Sequence, residues 1–282
     1  MPTPTHQVKD LIAAGLHFGH KTAKWNPKMK PYIYGQKNGV HIFDVQQTAD
    51  GLTAACAYLT KMAAAGKVIM LISTKQQTLD IMPDIAHRLG LPYATEKWFG
   101  GMLTNWNTTK ARIKELRDLK TERDETAFKK YVKSERNRKM KQIDRLELWL
   151  SGIEGLEKLP DVVFVLDTAR DNLAVTEARL RKIPVVGICD SNSDPDAVDY
   201  PIPGNDDAVK AIDYVLTAVA NAIEEGQKNP SKAEKPVAKV APKKDEVKKD
   251  KKPAAEEKAD KSAKKDPSSA KATEDKAEEK KA

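Results

Sequence analysis

The stretch DVVFVLDTARDNLAVTEARLRKIPVVGICD, residues 161–190, decides how the chain folds. Its first seven residues, DVVFVLD, are a short continuous apolar run closed by an acid, and PVVGICD at 184–190 repeats the pattern. Short apolar runs without polar alternation mark strands covered on both faces, as in a parallel sheet. Between them NLAVTEARLRK carries helical spacing, so the stretch predicts a β-α-β unit.

The same logic extends outward. KVIMLIS at 67–73 predicts another buried strand, PYATE at 92–96 and YPIP at 200–203 two short ones. Asp44 is the expected N-cap of a helix whose apolar positions Val45, Leu52, Cys56, Leu59 and Met62 share a face, with Gly66 ending it. Thr74 is expected to cap a helix reaching Leu89, bent or broken by Pro83 and stopped by Gly90. A short helix over Val8–Ala14 and a last one in AVKAIDYVLTAVANAIEEG complete the set. Strands alternating with helices predict an α/β fold with a parallel sheet, right-handed crossovers and helices on both faces.

From Thr104 to about Glu154 the pattern changes to long charged helix, and no glycine interrupts residues 102–151. Ile113 and Leu116, then Ile143, Leu146, Leu150 and Ile153, read as seams of an inserted antiparallel helical hairpin, a short coiled coil. Gly100 and Gly101 supply unusual dihedrals at its root, Thr104 is the expected cap, and Trp98 and Trp106 are expected to seat its base. From Lys228 onward there is no aromatic residue and no Leu, Ile or Met, while 18 lysines face 12 acids, which predicts a disordered, solubilising tail. The expected organisation is an α/β domain over 1–103 and 156–227, a hairpin over 104–155 and a tail over 228–282.

Charge is segregated. Residues 1–43 hold six lysines and one acid, 110–145 hold 14 basic and 7 acidic side chains, and 154–225 hold 6 basic and 15 acidic ones. The first basic region lies in GLHFGHKTAKWNPKMKPYIYGQKNGVHIFD, residues 15–44, where prolines and glycines break every period and predict an ordered loop. Lysines offer phosphate charge and planar rings offer stacking faces. Lys21, Lys24, Trp25, Lys28, Lys30, Tyr32 and Lys37 of this arm are therefore candidate RNA contacts. On the hairpin the candidates are Lys110, Arg112, Lys129, Lys130, Arg136 and Arg138.

Other functions leave weaker traces. Polar residues stand where the strands end, at Ser73, Thr74, Asp167, Asp190, Ser191 and Asp194, the ligand side of an open parallel sheet. Yet the sequence has no G-x-G-x-x-G, no Walker A lysine and no G-x-S-x-G elbow, so catalysis is not expected and no cofactor is implied. If the arm folds across the strand ends, His17, His20 or His41 could meet Asp190, Asp194, Asp206 or Asp207 in a structural zinc or magnesium site, for which His17, Asp190 and Asp206 are the metal candidates. Cys56 and Cys189 read as buried thiols. No apolar run reaches the roughly 18 residues a membrane span needs, and MPTPTHQVKD lacks a signal-peptide core, so a cytoplasmic chain without membrane contact is expected.

The arm together with WFGGMLTNW at 98–106 and PDAVDYPIPGNDD at 195–207 resembles the ribosomal protein S two family, from about Leu11 to Gly226 and in the bacterial type. The resemblance implies a flavodoxin-like, three-layer domain with five parallel strands. It also implies a place at the junction of head and body of the small ribosomal subunit, contact with several helices of its ribosomal RNA, and docking of the large messenger-binding protein S one, with no homo-oligomer. The rival readings are a protein-only adaptor and a nucleotide-dependent enzyme.

Overall fold

A computed structural model describes residues 6–124 and 131–230. The segment 15–44, expected to be a loop, is instead a small antiparallel sheet of β1 (Phe18–Lys21), β2 (Ile33–Lys37) and β3 (Val40–Phe43) in the order β1-β3-β2. These strands are four or five residues long, too short to show a period between the turns of 3-10 helix at Thr22–Lys24 and Pro27–Tyr32. The tight turn joining β2 to β3 is set by Asn38 and Gly39, both at positive φ (53° and 75°), the primed-turn geometry that suits the twist of paired strands. The register slips between Ile33 and Gly35, which leaves Tyr34 as the extra residue of a β-bulge.

Beyond the arm lies a five-stranded parallel sheet of β4 (Ile69–Ile72), β5 (Tyr93–Ala94), β6 (Val162–Val165), β7 (Val185–Cys189) and β8 (Tyr200–Pro203), in the order β5-β4-β6-β7-β8. This is the flavodoxin-like order, with its switch point between β4 and β6. All of β4, β6 and β7 is buried because each face of the sheet has its own core. Ile69, Leu71, Phe164 and Ile188 pack under α1 (Val8–Ala14), α2 (Val45–Ala64), α3 (Ile81–Leu89) and α7 (Val209–Lys228). Met70, Ile72, Val163 and Val165 face the other way, toward α6 (Asn172–Leu180) and the roots of α4 (Trp106–Asp124) and α5 (Lys133–Leu150). No described helix is long and apolar enough to cross a membrane.

Asp44 caps α2 as expected, accepting from the Gln46 N–H at 3.0 Å, and Gly90 ends α3 with φ 65°. Two caps fall elsewhere. Thr74 caps nothing: its N–H and hydroxyl donate to Asp171 at 3.0 and 2.8 Å, and α3 begins only at Ile81, so Pro83 sits harmlessly in its first turn. Thr104 also turns away from helix capping, for the reason given below. The hairpin is antiparallel, with Glu115 meeting Gln142 at 2.6 Å and Glu122 meeting Lys139 at 2.9 Å, and Ile113, Leu116, Ile143, Leu150 and Ile153 are buried along its seam and root. Lys129, Lys130 and nearly all of the expected tail lie outside the described residues.

Candidate functional site

The arm is stitched across the carboxyl ends of β7 and β8. Asn26 donates its N–H to the Ser191 carbonyl at 2.7 Å, His20 its N–H to Ser191 Oγ at 2.9 Å, and Asn205 its N–H to the Leu16 carbonyl at 3.0 Å. Gly19 makes the approach feasible, since an added Cβ would stand 3.1 Å from Ser191 Oγ and 3.2 Å from the Phe43 ring. On this anchored arm Lys21, Lys24, Lys30 and Lys37 are exposed and make no ion pair with a described residue. Lys28 differs, because its ammonium bridges Asp194 and Asp196 at 2.8 and 3.1 Å and is raised by those hydrogen bonds. Trp25 lays its ring against buried His41 at 5.3 Å and keeps an exposed side, while Tyr32 is half-buried. The bulge re-aims Tyr34 to solvent, where it is 83% exposed.

Beneath the arm, the strand ends hold a buried charge cluster. Lys75, only 4% exposed, follows β4 and places Nζ 3.0 Å from Asp167, 2.8 Å from Asp206 and 2.7 Å from Asp207. Burial works against its ammonium, but the three carboxylates outweigh it and raise the pKa. His20 Nδ1 lies 3.0 Å from Asp190 and Nε2 3.4 Å from Asp207; the hydrogen bond that the imidazole donates to Asp190 leads the effects that lift it to about 9. Asp206 is pushed up to about 8 by burial and by Asp190 and Asp167, and its Oδ2 is buried with no partner. Four carboxylates thus face Lys75 and His20, and the orphaned oxygen faces a surplus of negative charge.

The cluster also occupies the switch point. Lys75 crosses from β4 to Asp167 after β6, and Thr74 is tied to Asp171 and Arg170, so the chain's own side chains fill the crevice where an open α/β sheet receives a ligand. One nitrogen and two carboxylate oxygens, from His20, Asp190 and Asp206, lie within 4.8 Å of one another, a donor set that fits zinc or magnesium. His17 is not part of it, because that ring packs on Phe18 at 4.0 Å; the contributing histidine is His20.

The hairpin is fixed to the body by a second buried acid. Glu177, on α6, accepts from Trp98 Nε1 and the Gly101 N–H with Oε1, and from the Leu103 N–H, the Thr104 N–H and the Thr104 hydroxyl with Oε2, at 2.8–3.3 Å. That is why Thr104 does not cap α4. Burial alone would raise this carboxyl, but the donated hydrogen bonds win and hold it below 4.5. Gly101 turns the loop at φ 94°, and Arg181 donates to the Leu103 and Thr104 carbonyls. Further out, Lys110, Arg136 and Arg138 are exposed and make no ion pair with a described residue, whereas Arg112 is paired with Glu115 at 2.6 Å.

Sequence reasoning missed Lys75, Glu177 and Tyr34. Glu177 had a legible signal, an acid on the face that α6 buries through Ala174 and Ala178. Tyr34 had none, since its direction depends on the bulge.

The sequence profile described as Ribosomal protein S2 matches residues 11–226. A relative named small ribosomal subunit protein uS2, from Coprothermobacter proteolyticus, is 42% identical over 220 residues, covering 78% of this chain and 82% of its own. The profile spans the arm, the sheet and the hairpin together. The chain therefore belongs to the ribosomal protein S2 family, a structural, non-enzymatic constituent of the small ribosomal subunit, with ribosomal RNA and other ribosomal proteins as its partners.

Proposed function

We propose that the chain grips small-subunit ribosomal RNA through phosphates at the junction of head and body. Lys21, Lys24, Lys30 and Lys37 on the arm and Lys110, Arg136 and Arg138 on the hairpin serve as contacts, together with Lys129 and Lys130. Trp25 and Tyr34 offer stacking faces. The observation that carries this reading is the division of cations: Lys75, Lys28 and Arg112 are held by carboxylates, whereas Lys21, Lys24, Lys30 and Lys37 on the arm and Lys110, Arg136 and Arg138 on the hairpin pair with no described carboxylate. Duplex RNA hides its base edges in a narrow major groove, so contact of this kind follows shape. The acidic body is left for neighbouring proteins, including the large messenger-binding protein S one, in cytoplasmic ribosomes.

Replacing Lys21, Lys24, Lys30 and Lys37 together with alanine is expected to flatten the plot of log affinity for small-subunit RNA against log salt by about 0.7–0.9 per lost contact, borrowing the values for single strands and duplex DNA. An unchanged slope in a filter-binding titration would favour the protein-only adaptor.

A second reading concerns His20, Asp190 and Asp206, which would together hold a divalent cation of structural role, favoured by the unpartnered Asp206 Oδ2. The ion would supply the positive charge that this oxygen lacks. Equilibrium dialysis of the full chain against zinc and against magnesium is expected to retain one ion per chain, lost in Asp206→Asn with the fold intact by circular dichroism. Equal retention by that variant would refute the site.

A further inference from the structure

At the root of the hairpin a cleft of about 480 Å³ opens between α4, α5 and the loop that Glu177 organises. Such a volume lies within the roughly 300–1,000 Å³ of small-ligand clefts. Its apolar wall comes from Phe99, Leu146 and Trp149, and its rim carries Asn105, Arg112 and Arg145. Arg145 holds its guanidinium 4.8 Å over the Trp149 ring and makes no ion pair with a described residue, so the cation covers one face of the indole and has no carboxylate to neutralise it. Asn105 and Gln142 add side-chain amides, of which one oxygen accepts from Thr108 and one nitrogen donates to Glu115, leaving the Asn105 NH₂ and the Gln142 oxygen as groups for a base edge.

We infer that this cleft receives one unpaired RNA base, seated on the Phe99 and Trp149 side chains with its phosphate at Arg145. The inference rests on the RNA-binding reading above and deepens it. An apolar cleft alone would serve a peptide side chain equally well, but charge decides between them. The cleft's lining carries Arg112 and Arg145 against a single acid, Glu115, and Lys110 and Lys141 on the same two helices are exposed. Base stacking on aromatic rings combined with arginine is the recurring chemistry of single-stranded RNA recognition. The geometry also separates this contact from the arm, since the cleft has no arm residue in its lining.

The test uses the full chain and fluorescent hexaadenylate, compared with an abasic ribose-phosphate chain of equal length. Thr108→Phe fills the cleft from an exposed helix position, and Trp149→Leu removes the ring while keeping an apolar side chain. The wild-type chain is expected to prefer the base-bearing oligomer, and each variant to lose roughly 5- to 150-fold in that affinity, with the salt slope and the abasic affinity unchanged. Thr108→Phe should melt as the wild type does, which covers the case in which Trp149→Leu unfolds. If Thr108→Phe keeps the full preference for bases, or if the wild type has no preference, the cleft does not take a base, although a steep salt slope would leave the phosphate-binding reading standing. Loss of all salt-dependent binding in the wild type would refute both. A photoreactive group at position 108 that crosslinks to a protein and not to RNA in assembled subunits would also overturn the assignment.

Discussion

Glu177→Ala is expected to lower the stability of the free protein by about 3–5 kcal/mol, because five donors lose their acceptor at once and the Leu103 N–H and the Trp98 indole are buried where water cannot replace it. For a chain of this size the loss corresponds to a fall in melting temperature of roughly 6–20 °C. Glu177→Gln should cost nearly as much. Glutamine presents a single oxygen, so the donors that now use the other one would face an NH₂ group. The pH dependence has a definite sign. Because the folded-state carboxyl titrates below 4.5, its contribution is complete above that value and is lost as the pH falls through the folded-state value. The gap between wild-type and Glu177→Ala melting temperatures should therefore narrow in acid. A constant gap down to strong acid, or a change under 1 kcal/mol at neutral pH, would show that this carboxylate does not hold the hairpin root.

Lys75→Met should be nearly as damaging, at about 3–5 kcal/mol, for the complementary reason. The methionine fills the volume but leaves Asp167, Asp206 and Asp207 with His20 as the remaining counter-charge in the cluster, and an uncompensated buried charge costs far more than a paired one. In this variant the carboxyls are stabilised by taking up protons, so the deficit should shrink as the pH falls and be largest above neutrality. Chemical denaturation at several pH values reads it directly. If Lys75→Met is neutral throughout, the cluster is a solvated surface feature and not the pin that closes the crevice between β4 and β6.

The division between what the sequence discloses and what it hides follows the range of the forces involved. The strands KVIMLIS, DVVFVLD and PVVGICD are legible because burial on both faces demands an unbroken apolar run, and the hairpin seams because helical periodicity is local. The arm sheet was not, since strands of four or five residues interrupted by prolines carry no period, and only the Asn38-Gly39 pair signals their turn. Caps failed where a distant acid outcompeted the local helix: Asp171 takes Thr74 and Glu177 takes Thr104, each from more than 70 residues away. The candidate phosphate contacts were legible as charge, but Lys28 shows the limit of counting, because Asp194 and Asp196 are 166 and 168 positions downstream and neutralise it. The same limit left the choice among His17, His20 and His41 open to the sequence, because Asp190 and Asp207, which meet His20, are brought together by the sheet and not by sequence spacing.

On the proposed reading, unpaired cations of the arm and hairpin hold this chain on ribosomal RNA. The most direct test is the occupancy of full-length variants in reconstituted small subunits after a high-salt wash, measured by quantitative mass spectrometry against the other subunit proteins. The variant lacking Lys21, Lys24, Lys30, Lys37, Lys110, Arg136 and Arg138 should fold with the wild-type melting temperature yet wash off at salt concentrations that leave the wild type bound. Wild-type occupancy of that variant after the same wash would refute phosphate gripping by these cations and assign retention in the subunit to protein contacts alone.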